Sequence, residues 1–142
     1  MATKAWHLPV RLATGVFILN SGLGKQQVDS ERAKRLQSMA AHAFPQLGEM
    51  EPERFVKLLS TGEIALGAAL IAVPVVPPLL AGLGLLGFSA GLNQMYLKAP
   101  GLRREGSVRP TEQGTAIAKD IWMTSIGAAL VLDSLFSPKR RR

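Results

Sequence analysis

The ionisable residues that matter first are those set inside apolar runs. Glu63 is the one charged residue between Leu58 and Leu97. Arg11 interrupts an apolar stretch from Trp6 to Gly24, and Lys119 and Asp120 interrupt another from Thr115 to Phe136. At helical spacing, Ser60, Glu63, Gly67 and Leu70 share a face, as do Asp120, Thr124, Gly127 and Val131. Arg11, Thr14 or Gly15, Ile18, Ser21 or Gly22, and Lys25 form a third such face, and Lys119 points about 100° away from Asp120. Asn93 and Tyr96 stand near the end of the most apolar segment. A charge in hydrocarbon costs about 2.5–3.5 kcal/mol on insertion scales, so these groups are expected to face one another inside a bundle. Glu63 and Asp120 are the expected acids, with Arg11 and Lys119 the obvious bases. Such a set can act as a polar chamber for a quinone-like ligand, an anion or protons, or as structural ion pairs that fix helix register.

The elements that must position these residues follow from the apolar pattern. No charged residue falls between Ile64 and Leu97, a run long enough for two crossings of roughly 20 residues each. Pro74-Val-Val-Pro-Pro78 divides it, because paired prolines cannot continue a helix. The predicted fold is all-α, a single membrane domain over 1–142, with four transmembrane helices at about 5–24, 52–73, 79–98 and 114–136. Two consecutive apolar helices exceed the interior that a soluble chain of 142 residues provides. Gly15, Gly67, Gly84, Gly87, Gly91 and Gly127 are the expected close-packing positions, with Gly87-Phe-Ser-Ala-Gly91 a GxxxG match. Lys25-Gln26-Gln27 follows the first apolar stretch where a signal peptide would carry small residues, so residues 1–24 read as a mature helix.

Between the first two crossings, Asp29 or Ser30 caps a short helix over about 30–43, with Ala33, Leu36, Ala40 and Ala43 on one face. It reads either as an interfacial helix with its basic groups near lipid phosphates or as a cap over the bundle. Residues 99–113 form a basic, turn-rich loop. The chain carries 17 Lys and Arg against 10 Asp and Glu, a net charge of +7, and the tail 137–142 ends in Lys139-Arg-Arg-Arg142. With no recognition helix and no interleaved aromatics, that surplus reads as membrane-surface anchoring and not as nucleic-acid binding. Four crossings put five of the basic residues on the side of the termini and ten on the other; the dense tail favours cytoplasmic termini. His7 and His42 are isolated and read as interfacial, so no metal site is expected, and Trp6, Tyr96 and Trp122 read as interface anchors. The chain has no cysteine, which excludes disulfides, thiolate metal sites and a Cys nucleophile.

The run Leu8-Pro-Val-Arg11-Leu-Ala-Thr-Gly15 through Ser21-Gly-Leu-Gly-Lys25 resembles the first helix of DoxX-like membrane proteins. Glu63-Ile-Ala-Leu-Gly67 resembles that family's second-helix pattern, and Lys119-Asp-Ile-Trp122 its fourth-helix start. The order of the motifs covers nearly the whole chain, and the basic linker and Arg-rich tail look like the actinobacterial branch. The resemblance implies a four-helix bundle in the cell membrane, associated with quinone-linked or sulfur and oxidative-stress redox complexes. It marks Arg11, Lys25, Glu63, Lys119 and Asp120 as motif matches. The expected function is a redox-associated membrane subunit that holds a quinone and works beside other membrane proteins, since the chain shows no redox centre of its own. The missing cysteines speak against a thiol relay. A non-enzymatic scaffold, whether or not self-associated, is the alternative, and a proton or small-solute pathway the third.

Overall fold

A computed structural model describes residues 3–137. The expected basic tail therefore lies, apart from Ser137, outside the described residues. Helices α1 (His7–Lys25), α2 (Ser30–Ala43), α3 (Pro52–Ile71), α4 (Pro78–Lys98), α5 (Thr115–Ala118) and α6 (Ile121–Phe136) make an all-α fold. Their ends follow local chemistry. Asp29 caps α2 by accepting from the Arg32 amide at 2.8 Å. Pro52 and Pro78 occupy the first turns of α3 and α4, where a missing N–H costs nothing.

The last apolar segment is one helix in sequence but two in the fold. At Lys119-Asp120 the amides of Asp120, Trp122 and Met123 each bond three residues back, which tightens the chain locally and divides α5 from α6. Propensity alone does not announce this break, because no Gly or Pro marks it.

Helix α1 packs chiefly against α3, and α4 against α6; the two pairs share one core of Ile18, Leu70, Ala81, Leu85 and Met123. Helix α2 lies across α3 and α4, with Ala33 and Ala40 against Phe55 and Val56. Gln37 fixes it by donating to the carbonyls of Leu47, at 2.8 Å, and Met50. The loop after α4 is ordered as well. Arg104 donates to the Arg109 carbonyl at 2.9 Å, Gly101 and Gly106 take positive φ, and the Tyr96 hydroxyl donates to Val108 O at 2.6 Å.

Glycine spacing was a partial guide to packing. A Cβ on Gly67 would lie 2.6 Å from the Leu19 amide nitrogen, and one on Gly15 2.8 Å from Ile71 Cγ1. Gly127 faces Gly82 across the α4–α6 contact, where a Cβ would meet backbone at 3.0 Å. Gly84 meets only the Leu66 side chain, and Gly87 and Gly91 face open space. The GxxxG match is thus not a contact within the chain; Gly22 and Gly82 take that role, because the α4 face turned to α6 is offset from its most glycine-rich stripe.

One segment among the described residues, Thr115–Phe136, is long and apolar enough to cross a membrane, and only 17% of its most apolar window is buried. The other three expected spans fall short by that measure. Helix α3 begins with Arg54 and Lys57 and contains Glu63, α1 holds Arg11 and Lys25, and glycines with Asn93-Gln94 dilute α4.

Candidate functional site

The most polar part of the interior lies towards the α1 C-terminus. Glu63, 4% exposed, projects from the middle of α3 onto the α1 face that carries Ser21 and Lys25. The Lys25 ammonium donates to Ser21 Oγ at 2.7 Å and to Glu63 Oε1 at 3.0 Å, and Ser21 donates to the same oxygen at 3.4 Å. Glu63 Oε2 touches the ammonium at 2.9 Å but takes no aligned hydrogen bond. Gly22 makes the approach close enough: a Cβ there would lie 2.9 Å from Glu63 Cβ. One turn before Glu63, Ser60 donates to the Gly22 carbonyl at 2.7 Å and ties the two backbones together.

A second polar group joins α4 to α6. Asn93 donates to Thr124 Oγ1 at 2.7 Å, and Thr124 donates to the buried Ser89 hydroxyl at 3.0 Å. Asp120 stands one turn before Thr124 on the same face, half-buried. The break between α5 and α6 places it at a helix N-terminus, where a carboxylate is favoured. Ser89 was not singled out from sequence, although Leu85, Ser89, Asn93 and Tyr96 recur at helical spacing.

No family model, no curated protein and no solved structure matches the chain. The site must therefore be read from its own geometry.

That geometry reassigns several of the expected partners. Arg11 is fully buried at 0% exposure and meets no acid. Its guanidinium donates to the carbonyls of Leu70 at 2.9 Å, Ala69 at 2.9 Å and Val76 at 3.0 Å. Pro74 has no N–H to complete the helical bond to Leu70 O, and the Val73 amide turns to Ile71 O instead of Ala69. Arg11 supplies the donors that the proline turn removes and puts positive charge at the C-terminal end of the α3 dipole. Lys119 is exposed and does not pair with Glu63. The base that pairs with Glu63 is Lys25, which comes within reach because α1 and α3 approach through glycine.

His7 and Tyr96, expected at the interface, are buried instead. His7 is 1% exposed; its Nδ1 accepts from the Lys4 amide at 3.2 Å, which leaves Nε2–H to donate to Asp133 at 3.1 Å. Lys4 and Ser137 complete that cluster on Asp133 Oδ1, at 2.7 and 3.1 Å. Tyr96 is buried and holds the loop, whereas Trp6 and Trp122 are exposed as expected. His42 is exposed and bonded to its own helix through Ser38 O.

Between the C-terminus of α1, the start of α2 and the first half of α3 lies a groove of about 390 Å³. Val28, Ala33 and Val56 supply its apolar wall, and Lys25, Lys57, Ser60 and Glu53 its polar lining. Lys25, the partner of Glu63, is thus part of its wall.

Proposed function

We propose that this chain is a four-helix integral membrane protein of the DoxX-like kind its sequence resembles, a subunit of a redox-associated membrane complex. Its polar interior would take the head group of a quinone-like ligand. The observation that carries the membrane reading is the inversion of polarity across the bundle. Arg11, Glu63, His7 and Ser89 are buried, while Phe17 is 66% exposed and Val16, Leu83, Leu132, Leu135 and Phe136 also point outward. A chain in water would reverse that arrangement, and a chain in lipid favours it. The lengths agree: α1, α3 and α4 hold 19, 20 and 21 residues, each about 30 Å at 1.5 Å per residue, close to a bilayer core.

The ligand reading rests on the chemistry of the two interior polar groups, Lys25 with Glu63 between α1 and α3 and Asn93 with Thr124 between α4 and α6. A quinone head offers two carbonyl acceptors, and reduced quinone two hydroxyl donors. Lys25 and Asn93 can donate to the first, and Glu63 and Asp120 can accept from the second. The chain would bind and orient the head group and exclude water, and electrons would come from a partner subunit. Arg11 and the His7–Asp133 pair, both fully engaged in structure, lie outside this role.

The test is the lipid extract of protein purified from its native membrane. Quinone is expected at a stoichiometric level, with Glu63→Gln lowering it by about tenfold for the loss of a charged hydrogen-bond acceptor. A folded, quinone-free wild type would return the interior to the alternative role, a scaffold with structural ion pairs.

A further inference from the structure

The groove between the α1 C-terminus, the start of α2 and the first half of α3 carries one acid and one base that the fold does not use. Glu53 and Lys57 both line it, four residues apart on α3 and so about 6 Å apart along the axis. Both are exposed. Among the described residues the ion pairs are Lys4–Asp133, His7–Asp133, Lys25–Glu63 and Lys34–Glu31, so Glu53 and Lys57 have no ionic partner. Lys25 in the same wall is already balanced by Glu63. The hydroxyls of Ser60 and Thr61 spend their protons on the carbonyls of Gly22 and Lys57, at 2.7 and 2.8 Å. Lys57 and the exposed Gln26 remain as donors, and Glu53 as the carboxylate acceptor. A purely anionic ligand would gain from Lys57 and lose against Glu53, whereas a zwitterion is matched at both. None of the lining residues is aromatic, so the groove lacks the cage that holds a quaternary ammonium. A primary ammonium, with N–H groups for Glu53, fits it better. The volume of about 390 Å³ is that of a small-ligand site. Leu23, one turn before Gln26, and Leu58, one turn before Thr61, are exposed, so a chain leaving the groove meets apolar surface.

We propose that this groove binds a phospholipid with a primary-ammonium head, of the phosphatidylethanolamine kind. The ammonium pairs with Glu53, and the phosphate with Lys57 and Gln26. The acyl chains start along Val28 and Val56 and continue over the exposed leucines. The depth agrees: Lys57 stands five residues, about 8 Å, into α3 from Pro52, near the head groups and far from the bilayer centre. A choline head offers Glu53 no N–H, and a glycerol head leaves Glu53 facing an unbalanced phosphate. The inference rests on the membrane reading above and is independent of whether quinone is the interior ligand.

Native mass spectrometry of the full chain in detergent micelles, titrated with dioleoyl phosphatidylethanolamine, phosphatidylcholine and phosphatidylglycerol, reads the preference directly. The ethanolamine lipid is expected to bind about tenfold more tightly than the other two. Glu53→Gln is expected to bring it down to the level of the choline lipid, and Lys57→Met to weaken all three. Arg54→Gln removes an exposed α3 charge outside the groove and is expected to leave the preference unchanged. Equal binding of the three lipids overturns the proposal, as does a preference that survives Glu53→Gln or is lost equally in Arg54→Gln. Displacement of the lipid by an equal concentration of ethanolamine phosphate would assign the groove to a soluble zwitterion and reject the lipid. Glu53 and Lys57 are exposed, so both variants are expected to fold, with circular dichroism as the check. A chain that stays in solution without detergent would overturn the membrane reading itself. A chain that needs detergent and shows no lipid preference overturns the groove proposal alone.

Discussion

Arg11 and Lys25 lie on the same helix and carry the same charge, yet do different work. Arg11 is a planar donor set matched to three carbonyls around the Pro74 turn, so its contribution is structural. Replacing it with Met would leave those carbonyls buried without donors, at a cost of about 2–5 kcal/mol. Thermal unfolding in detergent should show a large loss for Arg11→Met and a change within about 0.5 kcal/mol for the exposed Lys119→Met. Equal effects would contradict the assignment. Much of this scale was legible in the sequence: Arg11, Glu63 and Asp120 stand out as charges in apolar runs, and Lys25 stands at the end of one on the face of Arg11. Their pairing was not, because a wheel gives the face of each residue but not the depth at which two helices meet. His7 escaped for the same reason. Its partner Asp133 lies 126 positions away, and no local pattern joins them.

At the scale of elements, the helix limits followed from prolines and caps, and the α2 range came out unchanged at Ser30–Ala43. The break at Lys119-Asp120 stayed hidden because its residues keep right-handed helical dihedrals and only the hydrogen-bond register changes. The glycines divide by what they touch, which spacing alone does not reveal. Gly67→Ala would drive a methyl into the α1 backbone and should destabilise the α1–α3 pair by about 1–3 kcal/mol. Gly87→Ala meets open space and should be neutral or stabilise by up to about 1 kcal/mol through helix propensity. Unfolding transitions of the two single variants would separate these expectations. A tolerated Gly67→Ala would show that α1 and α3 pack less closely than described.

For the whole molecule, a modest mean hydropathy of +0.17 conceals two opposite distributions. Charges gather in loops and at a few interior points, and large apolar side chains lie on the outside of the helices. The all-helical class was legible because uncharged runs broken by prolines have few other solutions. The two-pair arrangement was not, since it depends on glycine contacts distant in sequence. The central claim is that the exposed apolar belt faces lipid, and the absence of cysteine makes it directly measurable. Single substitutions Phe17→Cys, Leu83→Cys and Leu132→Cys probe the belt, and Thr3→Cys and Arg104→Cys probe the two ends. In intact vesicles, a membrane-impermeant maleimide is expected to spare all three belt positions and to label the two ends from opposite faces. Labelling of the belt positions as fast as Arg104→Cys, or of both ends from one face, would contradict the four-helix membrane account.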